Sequence, residues 1–75
     1  MKKQFIAPDF TKGGLEVRLS DAEVALYFSG YGLIKFTMLL EDLLRKGNGE
    51  HIHLEDVNLL TTDSMSMSIV FVKDR

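Results

Sequence analysis

The chain has 75 residues, of which 45% are hydrophobic and 27% charged, with one proline, no cysteine and a formal net charge of -2. This length predicts a single small domain (1–75) whose first 14 residues are partly irregular, and it excludes a second large domain or a deep enclosed cleft. The lack of cysteine excludes a disulfide framework, a thiol nucleophile and a cysteine-based zinc site.

The opening residues and the apolar runs bear on localisation. The start Met1-Lys2-Lys3 is not followed by the apolar core of a secretory signal, because Pro8 and Asp9 interrupt it. No run of about 18 apolar residues exists that would span a membrane. We therefore expect a cytoplasmic protein with no membrane partner.

Charge is distributed unevenly along the chain. Residues 41–63 carry six carboxylates and two cations, whereas residues 1–18 carry four cations and two carboxylates. Nucleic-acid binders usually show a clustered basic stripe, so no nucleic-acid partner is expected. An acidic face would steer a basic protein partner, or would simply keep the chain in solution.

The N-terminal third predicts a hairpin. A short strand is expected at residues 3–7, followed by a loop from Pro8 to Gly14, since proline and paired glycines break regular structure. Apolar and polar residues alternate over Leu15–Leu19 and again over Val24–Phe28, with turn chemistry between them. The two runs predict an antiparallel pair.

Helical spacing follows over Tyr31–Lys46. Ser29 or Gly30 precedes it as a cap, and Gly47 follows it in the position that favours a left-handed residue. At 100° per residue, five apolar side chains fall within an arc of about 100°, the width of a core-facing stripe. The predicted core face is Leu33, Phe36, Leu40, Leu43 and Leu44.

Two more strands are predicted, at His51–Glu55 and Ser66–Val72, joined by the polar connection Asp56–Ser64. The expected fold class is therefore α+β with two layers. An antiparallel four-stranded sheet, with its elements in the order ββαββ, would carry one helix packed on one face.

The triplet His51-Ile52-His53 is the sharpest local feature. Residues two apart on a strand share a face, so His51 and His53 with Glu55 could ligate zinc, given a further ligand from elsewhere. The alternative is that two histidines decorate the open face of a strand, where their titration near neutral pH could make an interface pH-sensitive.

Signs of an enzyme are weak. No nucleophile-elbow or phosphate-loop spacing is present, and Gly30-Tyr31-Gly32 lacks the third glycine of a nucleotide fingerprint. We expect a tight strand-to-helix turn there, no enzymatic activity and no cofactor.

Apolar residues outside the predicted core face favour a protein interface. Ile34, Met38 and Leu39 lie outside the helical arc, and Tyr27, Val70 and Val72 fall on the sheet face away from the helix. Contiguous exposed apolar patches are typical of binding surfaces. The partner could be a different protein or a second copy that pairs at a sheet edge.

The chain from Gly30 to about Phe71 also resembles a known family. A Gly32-Leu33, Phe36, Leu39-Leu40 helix is followed by the strand His51-Ile52-His53-Leu54, an acidic residue and an apolar strand after Leu60-Thr61. This resembles immunity protein family 32 of bacterial polymorphic-toxin systems, whose hallmark is a His-x-His-Leu strand after a leucine-rich helix.

The resemblance covers about the last two-thirds of the chain and implies a small α+β protein that binds and blocks a cognate toxin. It implies that Leu54 lies in the core and that His51 and His53 lie at the surface. The acidic half supplies the expected contacts to a basic toxin: His51, His53, Glu55, Asp56, Glu41 and Asp42. The alternatives are a homodimeric structural or regulatory domain, and a metal-binding module that uses His51 and His53.

Overall fold

A computed structural model describes residues 7–74 of the chain. In chain order it contains β1 (Leu15–Ser20), β2 (Glu23–Phe28), α1 (Gly30–Lys46), β3 (His51–His53), a 3-10 turn (Leu54–Asp56) and β4 (Ser68–Val70). The strand expected at residues 3–7 lies, except for Ala7, outside the described residues.

The predicted N-terminal hairpin is confirmed. β1 and β2 pair antiparallel, with Leu15 opposite Phe28 and Leu19 opposite Val24. The connecting turn places Asp21 at φ 55°, a left-handed conformation that aspartate tolerates because its short side chain bonds locally. The alternation read from the sequence therefore predicted both strands, and the structure adds their register.

The predicted helix is also confirmed, with its start one residue earlier than expected. The Ser29 hydroxyl accepts a hydrogen bond from the Gly32 amide at 2.9 Å, which satisfies one free donor of the first turn. Gly47 follows the helix at φ 112°, where residues other than glycine are strained.

The rotation of the helix about its axis differs from the prediction. Leu43 is buried and Phe36 packs against the core as expected, but Leu33, Leu40 and Leu44 are 52%, 41% and 68% exposed. Leu39, expected outside the core face, packs against the core instead.

A glycine contact explains this rotation. Gly32 presses against Gly14 so closely that a Cβ on Gly32 would collide with the Gly14 carbonyl. The start of α1 is thereby held against the start of β1, and the face that contains Gly32 and Leu43 turns inward. The expectation that Gly30-Tyr31-Gly32 serves tight packing agrees with this contact.

The predicted four-stranded sheet is wrong. The domain is α+β with one helix, but its strands form two separate two-stranded antiparallel sheets, β1–β2 and β3–β4. Another segment, residues 59–65, runs along the outer edge of β1. It contributes a parallel bridge between Leu15 and Leu60, and backbone bonds from Thr61 N to the Leu15 carbonyl and from Met65 N to the Val17 carbonyl.

A side chain completes this edge. The Val17 amide donates to the Ser64 hydroxyl at 2.8 Å, where a regular strand would offer a backbone carbonyl. Residues 59–65 thus occupy this edge along Leu15 and Val17, where β3 or β4 would otherwise have to pair. β3 and β4 consequently do not join the first sheet at this edge, and they form a sheet of their own.

The second sheet is shorter than predicted. His51 lies opposite Val70 and His53 opposite Ser68, and the chain then leaves the ladder in the 3-10 turn at Leu54. The pair is extended at its other end by bonds between Phe71 and the backbone of Gly49 and Glu50.

The core is small and is completed by irregular chain. Its buried apolar residues, within the described part of the chain, are Leu15, Val17, Leu43, Ile52, Leu54 and Leu59. Leu54 and Leu59 are fully buried although they belong to the 3-10 turn and the loop after it. α1 is neither long enough nor apolar enough to cross a membrane.

Candidate functional site

A groove of about 350 Å³ lies between the C-terminal half of α1 and β3. Its apolar lining comes from Leu39, Ile52 and Val57. Charged and polar side chains make up the rest: Asp42, Lys46, His51, His53 and Asp56. An apolar floor with polar groups around it is the usual composition of a recognition site.

The helical wall of the groove follows from spacing. Leu39, Asp42 and Lys46 recur at intervals of three and four residues, so they share one face of α1. Lys46 Nζ lies 3.5 Å from Asp42 Oδ2, and both side chains are about half exposed. Because both side chains are half exposed, the pair contributes little to stability and both charges are accessible to a partner.

The strand wall is formed by the two histidines. His51 and His53 lie on one face of β3, with ring centroids 4.8 Å apart and rings nearly perpendicular. His53 Nδ1 lies 2.6 Å from the Ser68 hydroxyl on the paired strand, and 3.9 Å from Glu55 Oε2. These contacts orient the His53 ring at the edge of the groove.

Four of the six predicted contact residues line this groove: Asp42, His51, His53 and Asp56. Glu55 lies beside His53, whereas Glu41 is not among the lining residues. The structure thus brings Asp42 and Asp56 together with the two histidines at one concave surface, although the sequence places them on three different elements.

The zinc hypothesis stays a prediction. Among residues 7–74, no three or more His, Cys, Asp or Glu side chains are grouped so that they could hold a metal ion. The imidazoles of His51 and His53 are adjacent, but Glu55 approaches only His53.

The strongest electrostatic cluster lies outside the groove, on β1. The Glu16 side chain is only 6% exposed, and it accepts hydrogen bonds from the Thr61 hydroxyl at 2.7 Å and from Arg18 Nε at 2.6 Å. These two donors, Thr61 first, lower the pKa of Glu16 below its usual value. The Arg18 guanidinium also lies 4.4 Å from the centre of the Tyr27 ring, and the contact with Glu16 raises the pKa of Arg18.

Sequence reasoning missed several groove residues. Lys46 and Val57 line the groove, but neither was among the contact residues expected from the sequence. The spacing of Asp42 and Lys46 four residues apart was a usable signal. No signal in the sequence pointed to the contact of Ser68 with His53, because this contact depends on the register between β3 and β4.

Fold and site together define a small α+β domain with an open groove of mixed charge, whose lining includes apolar side chains. Comparison of the chain with family models, with curated proteins and with solved structures returned no match.

Proposed function

We propose that the chain is a protein-binding domain that acts as an immunity protein, blocking a toxin by occupying a basic surface on it. The observation that carries the proposal is the groove between α1 and β3. It places the carboxylates of Asp42 and Asp56 beside two imidazoles and over an apolar floor.

This arrangement suits recognition better than chemistry. The groove is open, and its lining combines an apolar floor with charged and polar side chains, as protein-recognition surfaces do. A basic side chain of a partner can pair with Asp42 or Asp56, while an apolar side chain beside it contacts Leu39, Ile52 and Val57.

The immunity role rests on the resemblance around His51-Ile52-His53-Leu54. Its implication that Leu54 is core agrees with the full burial of that side chain, and the exposure of His51 and His53 agrees with their implied surface position. A toxin with a basic surface, such as a nuclease, is the partner that the carboxylates of Asp42 and Asp56 favour.

The first experiment identifies the partner and tests its toxicity. The chain is immobilised, a bound protein is captured from host lysate, and that protein is expressed alone and together with the chain. We expect growth arrest that co-expression relieves. A stoichiometric partner that is harmless when expressed alone would overturn the immunity role and leave only protein binding.

The second experiment tests the groove itself. The double variant Asp42→Asn with Asp56→Asn removes two groove charges, and Glu41→Gln with Asp63→Asn removes two charges of the same sign elsewhere. We expect only the groove variant to slow association several-fold at low salt and to flatten its salt dependence. Equal association rates for the two variants would refute the groove as the binding surface.

A further inference from the structure

The outer edge of β2 has no partner within residues 7–74. β1 has neighbours on both sides, β2 on one and residues 59–65 on the other, whereas β2 pairs with β1 alone. Proteins usually protect such an edge with lysine, proline or a bulge. β2 reads Glu-Val-Ala-Leu-Tyr-Phe and has none of these, its one charge being Glu23 at the first position.

The apolar face of the same hairpin is only half covered. Leu15 and Val17, at one end of β1, are 0% and 3% exposed because they pack in the core. Towards the turn, Leu19, Val24 and Leu26 share that face by register but are 57%, 60% and 40% exposed. Among the described residues, the unpaired edge and the exposed part of the apolar face therefore meet at β2.

We propose that β2 pairs antiparallel with β2 of a second copy of this chain, with Ala25 on the two-fold axis. A two-fold axis perpendicular to the sheet keeps both apolar faces on one side. Residues that lie opposite each other across the two copies then belong to the same face of the sheet. Val24 then lies opposite Leu26 of the second copy, and the reverse pair forms by symmetry.

The other face of the sheet shows charge complementarity in this register. Glu23 of the second copy lies opposite Tyr27, whose ring is covered by the Arg18 guanidinium at 4.4 Å. The carboxylate thus approaches the Arg18 guanidinium on the next strand, which already pairs with Glu16 through Nε, and the contact occurs twice. Opposite charges on one face of a sheet stabilise the pairing, whereas an arbitrary foreign strand need not supply a carboxylate at this position.

The result is a continuous sheet of four strands in the order β1-β2-β2-β1 across two copies. Hairpins of two strands are marginally stable alone, and pairing between copies adds strands to this sheet. The pairing edge shares no residue with the groove between α1 and β3, so the inference is independent of the proposed toxin-blocking role.

A cysteine cross-link tests the register. The chain has no cysteine, so Ala25→Cys introduces a single thiol. Paired residues on the axis have Cα atoms roughly 4.5–5.5 Å apart, within the range that a disulfide spans. In the control Glu23→Cys the two thiols are displaced by four residues, about 13 Å along the strands.

We expect mild oxidation to convert Ala25→Cys into a covalent dimer and to leave Glu23→Cys mostly monomeric. No cross-link at position 25, or equal cross-linking at both positions, would overturn the proposed register.

The oligomeric state supplies an independent measurement. We expect sedimentation equilibrium to show a dimer for the unmodified chain, a monomer for Val24→Lys and a dimer for the control Ile34→Lys. Both positions are similarly exposed, at 60% and 64%, so neither lysine is buried in the monomer, and circular dichroism checks that each variant folds. A monomeric unmodified chain, or a dimer that Val24→Lys leaves intact, would refute the pairing.

Discussion

The hydrogen bond from Thr61 to Glu16 provides a sharp test of how the loop 59–65 is held on β1. Thr61→Val replaces the hydroxyl with a methyl group of similar size, so the side chain still fills its buried position. In this variant the Glu16 carboxylate loses the hydrogen bond from the Thr61 hydroxyl, which lies 2.7 Å from Oε1, and keeps the hydrogen bond from Arg18. A hydrogen bond to a charged group contributes about 1.5–3 kcal/mol, and we expect the free energy of unfolding at neutral pH to fall by that amount.

The effect should depend on pH with a definite sign. The Thr61 hydroxyl is the largest cause of the lowered pKa of Glu16, whose usual value is 4.5. A lowered pKa in the folded state contributes stability that is fully present above 4.5 and is lost as the pH falls through the folded value. The difference between Thr61→Val and the unmodified chain should therefore be constant above 4.5 and shrink on acidification.

Urea unfolding, monitored by circular dichroism at several pH values, measures the loss in free energy of unfolding and its dependence on pH. Thr62→Val is the matched control, because the neighbouring Thr62 is exposed and the same chemical change there should leave stability within about 0.5 kcal/mol. Equal losses for the two variants, or a difference that persists undiminished well below pH 4.5, would refute the reasoning.

Three further predictions concern α1, each measured by urea or thermal unfolding. Leu43→Ala should cost about 2–5 kcal/mol because the side chain is 4% exposed, whereas Leu44→Ala, at 68% exposed, should cost much less; the opposite order would contradict the helix rotation. Gly32→Ala should unfold the domain or displace the helix, while Gly30→Ala, whose Cβ meets nothing within 4 Å, should be tolerated; a well-folded Gly32→Ala would disprove the close contact. Ser29→Ala should cost about 1 kcal/mol by removing the cap, and an unchanged melting temperature would show that the cap is dispensable.

Local elements were predictable because their signals are local. The hairpin follows from alternation over Leu15–Leu19 and Val24–Phe28, and the helix from its spacing with Ser29 and Gly47 at its ends. The C-terminal strands were less predictable. His51–Glu55 alternates like a strand, yet the ladder ends at His53, since Leu54 turns into the core in a 3-10 conformation.

The candidate groove was predictable only in part. Residue type and spacing selected His51 and His53 as neighbours on one face, and their rings do lie together. The composition of residues 41–63 indicated an acidic half but not which carboxylates converge. Asp42 reaches the groove and its neighbour Glu41 does not, because adjacent helical residues point about 100° apart.

The rotation of α1 shows why periodicity alone was insufficient. Its first half is apolar on almost every side, with Tyr31, Ile34 and Met38 exposed as well as Leu33. A stripe of width about 100° can be drawn through such a segment in more than one way. The contact between Gly32 and Gly14, 18 residues apart in sequence, selects one of them.

The sequence by itself thus determined the hairpin, the helix with its caps and the shared face of His51 and His53, since each depends on neighbours within a few residues. Only the tertiary structure decided which face of α1 is buried, which carboxylates meet at the groove, and that two sheets form instead of one. Part of the last outcome follows from residues 59–65, whose backbone and Ser64 hydroxyl bond to Leu15 and Val17 at the edge of β1. Several distant segments can bond to the same backbone donors and acceptors, and no local pattern in the sequence indicates which of them does so.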